Sequence, residues 1–537
     1  MSALTTTWGS GEVWGLTAKV WGPWDKPVYS FLIDWDNNGT FVGPYDDVTP
    51  YVHAANWFLG MKQAYQYMPD ESEATFTLVN TTRIFSPENV ASPLYGKMVP
   101  HRRMKVVSTN GYEPETTLWS GYVDYINPTP MQYKGPFLTE VRGVGPKSIL
   151  SRAVINLALL EDVTTDEAIA AILDQVQVPP AFEGSWRLGT ATVSELGDTT
   201  FLSTAELDTD LDVGDVILPF VGDNWDNFTN AFDAISTVVL AEQGKLFFSR
   251  TGEIVFWNRS RFQGTNTIFH TFGDTFFGIE YSYGKEIYNR IKVTYYPRFI
   301  SASSTDVLWT LDEPLTIPAG EEQTIQANFN SEEGVKIGGK DVVIPNTVDG
   351  TLVVGSGAAT ISDSEIAADS LKMTFTNAGG VPAVITTLVV KGKRISAFNS
   401  QTVEEYDGYS ISYYGQREKS IDLKLVTDID DARGVAQSQL LRYKEPAGRV
   451  RSISMYNRDI DWALRQLALE TGIVIGVGET QTQHTNQYVI VGEQFEYRDN
   501  GTNVKSTVYL EPLTDLTPWL LGVTDRSELG TSTLLGL

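Results

Sequence analysis

The stretch Asp34-Trp-Asp36-Asn-Asn38-Gly39-Thr40 places oxygen-bearing side chains at alternate positions around a glycine. Alternate oxygens converge on one point when a glycine permits a sharp turn, and that is how a calcium loop opens. Asp34, Asp36, Asn38 and Thr40 are therefore candidate calcium ligands. The twelfth position is Tyr45 rather than Glu, so Asp46 or Asp47 would have to supply the remaining carboxylate. Phe31-Leu-Ile33 ahead of the loop reads as a strand, not the helix of a calcium-binding hand, and a polar hairpin turn at Asn38-Gly39 is the competing reading. Calcium is the only cofactor that the residues suggest.

Other chemistry is sparse. The four histidines, His53, His101, His270 and His484, have no second histidine three to five residues away, which removes the two-histidine zinc helix. The absence of cysteine excludes disulfides, thiolate metal sites and thiol nucleophiles. Gly143-Val-Gly145-Pro146-Lys147-Ser148 imitates a phosphate loop, but Pro146 removes an amide donor, so a turn before a short helix is expected. Trp21, Trp24, Trp35 and Trp119 could floor a sugar site. A glycosidase also needs two carboxyls about 5–10 Å apart, and 67 acidic residues make chance pairs certain. No catalytic residues are assigned, and the chain is expected not to be an enzyme.

The elements that must position these residues are mostly strands. Leu371-Lys-Met-Thr-Phe-Thr376 and Ile325-Gln-Ala-Asn-Phe329 alternate apolar and polar residues, the period of a sheet with one buried face. Asn110-Gly111, Thr251-Gly252, Asp349-Gly350, Asn377-Ala-Gly-Gly380, Asp407-Gly408 and Asn500-Gly501 are turn signals between such stretches. Four helices are expected: a capping box at Thr164–Glu167 opening a helix through Val176, about 227–243 with Gly244 as its stop, about 430–443, and about 460–471 closed by Gly472.

The 537 residues are too many for one core. With 42% hydrophobic and 20% charged residues the chain is a folding one, and its net charge of −27 does not suit gripping phosphates or anionic lipid. Met1–Trp8 lacks a basic region followed by an apolar run, so no secretory signal is expected. No run approaches the roughly eighteen apolar residues of a membrane span. Residues 161–226 hold fifteen Asp/Glu against the single base Arg187, whereas residues 301–395 turn to Val, Thr, Ala and Gly, the texture of an inserted β-sandwich.

Several segments, in order, resemble the tail-hub (minor tail, baseplate hub) proteins of tailed bacteriophages. They are Phe85-Ser-Pro-Glu-Asn89, Ser92-Pro-Leu-Tyr-Gly96 and Val99-Pro-His-Arg102, then Leu118-Trp-Ser-Gly-Tyr-Val-Asp124, then Glu242–Phe247 with Thr251–Phe256. Ile287-Tyr-Asn-Arg-Ile-Lys-Val-Thr294, Ser412-Tyr-Tyr-Gly415-Gln-Arg417 and Leu440-Leu-Arg-Tyr443 continue the order. Leu315–Gly320, Leu371–Asn377 and Thr387–Gly392 resemble an extra domain of some hubs, and Pro518–Gly522, Ser527–Gly530 and Leu534–Gly536 a leucine–glycine tail.

The resemblance implies a mainly β, multidomain chain with small α+β modules. It would hold two tube-like β-barrel or sandwich domains and an inserted β-sandwich. The implied boundaries are a first tube-like domain at 1–147, an acidic α+β domain at 148–275, and a second tube-like domain split between 276–298 and 446–512. The sandwich would fill 299–397, connecting strands and a helix 398–445, and the tail 513–537. It further implies a homotrimer at the tail tip of a virion, made in the bacterial cytoplasm. That trimer would seat on the tail tube or a distal tail protein, meet the tape-measure protein, carry tip or receptor-binding proteins, and let double-stranded DNA pass through its lumen. The Leu/Gly tail is too glycine-broken for a stable helix; it is expected either to order only against a neighbouring protein, with Trp519, Leu520, Leu529 and Leu534 as anchors, or to be a disordered end. A carbohydrate-recognising tip protein, with a surface aromatic platform on the insert, and a glycoside hydrolase are the alternatives; the insert holds Trp309, Phe329 and Phe375 but little else aromatic, which argues against the first.

Overall fold

The computed structural model describes residues 27–109, 115–129, 137–176, 209–223, 225, 229–262, 266–273, 276–331 and 334–513, with only the backbone of a few short strands elsewhere. The chain is mainly β and multidomain, as its alternation requires. Its centre is one sheet of twelve strands. Six come from the N-terminal part: β1 Val28–Ile33, β2 Val52–Gly60, β3 Glu73–Val79, β4 Arg103–Thr109, β5 Thr116–Pro128 and β6 Leu138–Val144. Six come from farther on: β7 His270–Phe272, β8 Gly278–Tyr283, β9 Gly448–Tyr456, β10 Val474–Glu479, β11 His484–Arg498 and β12 Asn503–Pro512. The order is β8-β9-β12-β11-β2-β3-β6-β5-β4-β1, with β10 also on β11 and β7 on β10.

Each half curls into a barrel of its own. In the first, β1 and β2 stand at opposite ends of the order, yet Asp46–Val48 runs along β1 and leads through the single turn Thr49–Tyr51 into β2. Ile33 N donates to Asp46 O at 2.8 Å and Val48 N to Phe31 O at 2.9 Å. Tyr29, Phe31 and Ile33 alternate inward, and the Phe31 ring meets Trp57 of β2 at 6.2 Å and Phe76 of β3 at 5.0 Å across the interior. In the second, β7 and β8 lie at the two ends of the half-sheet but are consecutive in sequence. Their link reaches about 21 Å at full stretch, less than the roughly 24 Å across six flat strands. All six strands accordingly share one core around Phe272, Ile453, Ile475, Tyr488 and Leu510, with Ile279 of β8 packed against it.

Arg290–Tyr295, within the 276–298 stretch expected of the second tube-like domain, lies outside the large sheet. It is the middle strand between Gln401–Tyr406 and Glu418–Leu423. Ile291 and Val293 bury against the same core as Ile235 and Val238 of helix Ala231–Glu242 and Ala432 and Val435 of helix Ile429–Tyr443. The acidic domain and the connecting segment thus share one hydrophobic interior. Period-two alternation says that a strand has a buried face, not which sheet it joins.

Helix ends follow the sequence with local departures. Thr164 and Glu167 form the expected capping box of Thr165–Leu173. Gln243, at φ 61°, makes the left-handed turn that ends Ala231–Glu242, not Gly244. Gly244 is required for space instead, since a Cβ there would stand 2.6 Å from Trp257 O. Asp407-Gly408 is no hairpin turn: Asp407 accepts Ser410 N at 2.9 Å and caps helix Gly408–Tyr414, because aspartate serves both roles. The last helix, Ile460–Ala468, stops short of Thr471. Asn110-Gly111 lies outside the described residues, among which no helix is long and apolar enough to cross a membrane.

The insert is a sandwich of a six-stranded sheet, centred on Ala383–Ala397, and a three-stranded one, Glu322–Asn328, Ser370–Thr376 and Thr360–Ile366. Leu371, Met373 and Phe375 point into its core, as their spacing predicts. Buried Asn377 closes it by donating Nδ2 to Ile317 O at 3.1 Å, Pro318 O at 3.1 Å and Val381 O at 2.8 Å. Truncating Asn377 to Ala should destabilise the insert by about 2 kcal/mol, since it removes three hydrogen bonds and orphans the buried Ile317 carbonyl. Hydrogen-exchange mass spectrometry checks this: the loss of protection should fall on 315–381 and spare β2 and β11.

Candidate functional site

The two barrels meet along a single antiparallel register, Ala55–Gly60 of β2 against Gly492–Tyr497 of β11. Trp57 lies directly opposite Phe495, and the rings stack at 5.0 Å and 9°. β11 serves both interiors: Tyr488 and Ile490 belong to the second barrel's core, Phe495 and Tyr497 to the first. The backbones cross too closely for side chains where the strands part. A Cβ on Gly60, whose φ is +85°, would lie 2.4 Å from Val491 O, and one on Gly492 2.4 Å from Met61 O.

A buried ion pair pins this seam. Glu493, opposite Leu59, is 1% exposed and Arg250 6%. Arg250 comes from the turn between strands Lys245–Phe248 and Ile254–Trp257 of the acidic domain. Its Nη2 donates to Glu493 Oε2 at 2.6 Å and Nε to Oε1 at 2.9 Å. Nη1 donates to Leu467 O at 2.6 Å and Nη2 also to Leu469 O at 2.8 Å, at the end of the last helix. One side chain therefore joins the acidic domain, the seam and that helix. Burial pushes the Glu493 carboxyl up, and the guanidinium pulls it back.

Beside the seam lies a ladder of cations and tyrosines where four parts of the chain meet. Arg442 sits 4.5 Å from the Tyr65 ring centroid, Arg449 5.2 Å from Tyr65 and 5.0 Å from Tyr443, and Lys419 Nζ 4.4 Å from Tyr443. The rings of Tyr65 and Tyr443 meet edge-on at 5.6 Å. Below them Lys245 Nζ bonds Glu511 Oε2 at 2.8 Å and Gln66 O at 2.8 Å. Arg449 and Arg451 share Glu286, at 2.6 and 2.5 Å. Burial, then Arg442, push the Lys419 amine down to about 8, with Glu286 opposing and Arg449 adding to the fall.

The residues singled out from sequence fall elsewhere. Asp34 is fully buried, but its oxygens accept backbone amides, Asn38 N at 3.2 Å and Gly39 N at 2.9 Å. Asn38 Oδ1 accepts Thr40 N at 2.9 Å and Thr40 Oγ1 at 2.8 Å, and Asp36 pairs with Lys97 at 2.5 Å. Asp46 accepts Gly43 N at 2.7 Å and Trp35 N at 3.3 Å. Among the described residues no group of three or more acids or histidines is placed to hold a metal ion. The loop is also not a hairpin turn, because β1 pairs with β4. Trp35 and Trp119 are core residues, Trp119 Nε1 donating to Ser72 Oγ at 3.0 Å, so neither floors a sugar site. Trp21, Trp24, Trp519, Leu520 and Leu529 lie outside the described residues, as does the side chain of Leu534. Gly145-Pro146 leads into the short helix Lys147–Leu150, as expected. His484 Nε2 meets Tyr488 OH at 2.7 Å and His270 meets Arg465 at 3.3 Å. Sequence reading missed Arg250 and Glu493, which are 243 positions apart with no local signal for either.

No family model matches the sequence, and no curated protein does. Among solved structures, the chain is similar to the 43 kDa tail protein of prophage MuSo2 from Shewanella oneidensis, at 8% identity and a TM-score of 0.45, over 90% of this chain and 97% of that one. A tail protein from Neisseria meningitidis MC58 gives 8% and 0.45 over 90% and 96%. Prophage tail protein gp18 from Listeria monocytogenes EGD-e gives 9% and 0.38 over 90% and 94%.

Two outcomes follow from this geometry. Arg250→Met strands a buried carboxylate and should cost about 3–5 kcal/mol, while Arg250→Met with Glu493→Leu should regain most of it. Urea unfolding of the three proteins checks both. Lys419 is protonated in the unfolded chain up to about 10.5 but only to about 8 when folded. The unfolded state therefore holds the extra proton between those values, and stability contributed by this group rises with pH across that window. Melting temperatures of wild type and Lys419→Met, compared from pH 7 to 10, should show the wild type gaining on the variant as pH rises.

Proposed function

We propose that this chain is a structural virion protein, a trimeric hub at the distal end of a phage tail tube. The observation that carries this reading is the seam: two six-stranded barrels in one subunit, held in fixed orientation by a shared sheet and a buried ion pair. Three such subunits would present six barrels, the number needed to continue a hexameric tube. The ordered hub-like segments of the sequence support the same reading. Their residues serve as packing here: Phe85 and Leu94 plug the first barrel, Leu118 and Trp119 line it, and Tyr443 closes the joint.

In this role the hub would seat on the tail tube or a distal tail protein, meet the end of the tape-measure protein and carry tip or receptor-binding proteins. Its work is mechanical, with no reaction of its own, and DNA passes through without binding, which suits a charge of −27. The protein would be made in the bacterial cytoplasm and end at the tail tip. The carbohydrate-binding alternative fares worse: Phe329 and Phe375 are fully buried in the insert's core and Trp309 packs against it, leaving these three no exposed platform.

Light scattering of the purified chain should give three times the mass of the 537-residue monomer. Immunogold labelling of tailed particles should put this protein at the far end of the tail. Particles that stay unlabelled even after mild opening of the tip would sink the proposal. Retention of the protein on a glycan array would favour the receptor-binding alternative.

A further inference from the structure

The ladder beside the seam is unbalanced. It gathers Lys245, Lys419, Arg442, Arg449 and Arg451 around the carboxylates Glu286 and Glu511. Lys245 takes Glu511, and the two arginines of β9 share Glu286. Among the described residues, no acid forms an ion pair with Arg442 or Lys419. Lys419 Nζ has a neutral partner, Gln439 Oε1 at 2.8 Å, and Arg442 Nε is buried with no hydrogen-bond partner. The tyrosine faces and the C-terminal end of helix Ile429–Tyr443 offset part of this charge, since both are weakly negative. Neither supplies the in-plane acceptor that a guanidinium edge requires. Two cations of a chain with 67 acids thus stand without a carboxylate at its central joint.

We propose that Arg442 and Lys419 bind a small oxyanion, a phosphate or carboxylate group, at this joint. Both residues are partly exposed, although Arg442 Nε itself is buried, so the ligand would enter from the exposed side. Arg442 would meet two oxygens with its planar fork, and Lys419 would supply a point charge. Bound there, the anion would tie helix Ile429–Tyr443 and strand Glu418–Leu423 to the loop carrying Tyr65, and so brace the connecting segment against the barrels.

Calorimetric titration of the full chain with inorganic phosphate, and separately with citrate, at constant ionic strength tests this. Saturable binding of either ion is expected, at least tenfold weaker in Arg442→Gln and in Lys419→Gln. Phosphate alone would identify a phosphate site, and citrate alone a carboxylate site, as a partner's acidic side chain would use. Glu511→Gln, which frees Lys245, should tighten binding, a gain that a folding defect cannot imitate. No saturable heat with either ion, or equal affinity in wild type and all three variants, would overturn the proposal.

Discussion

Two backbones that pass within contact distance at Gly60 and Gly492 set the geometry of the whole molecule. With no side chain at either point, β2 and β11 can pair to the last residue before they diverge into separate barrels. The six-residue register then fixes one barrel against the other, because a hydrogen-bonded ladder tolerates no slip that would turn Trp57 and Phe495 out of the core. β11, at fifteen residues, runs about 50 Å and is long enough to wall both interiors. Without this pairing β2 and the C-terminal half of β11 would each present an open edge, and each half would keep its own orientation.

The buried charges follow the same plan. Arg250 reaches from the acidic domain into the seam, and Arg298 at the root of the insert pairs with Asp223 of the acidic domain at 2.7 Å, while Lys340 of the insert pairs with Glu161 nearer the surface. Lys245 of the acidic domain pairs with Glu511 of β12. These bridges cross between units rather than running along one element. Such pairs give little net stability after desolvation, but they specify one arrangement, because any other leaves a charge buried and unpaired. The acid-rich 161–226 stretch is thus in part a set of partners for bases elsewhere: Asp212 for Arg261 and Asp223 for Arg298.

Local signals in the sequence were legible where the physics is local. The capping box at Thr164, the buried alternation of Leu371, Met373 and Phe375, and the positive φ at Gly350 and Gly501 each depend on residues within a few positions. The Asp34 loop shows the limit of such reading. Oxygens at alternate positions around a glycine bind either a cation or the amides of their own turn, and here Asn38 N and Gly39 N take the carboxylate. Asp407-Gly408 shows it again, as one dipeptide serves a turn or a helix cap.

The sequence by itself determined a mainly β chain, a separate inserted sandwich, the positions of four helices and the lack of thiol chemistry, because composition and period act residue by residue. Only the tertiary structure decided that β11 pairs with β2, that Arg290–Tyr295 leaves the second barrel for a sheet of its own, and that Arg250 finds Glu493. Those outcomes rest on pairing between segments separated by more than a hundred residues. An alternating strand carries the same pattern whichever neighbour it meets, so the choice belongs to the packing of the whole.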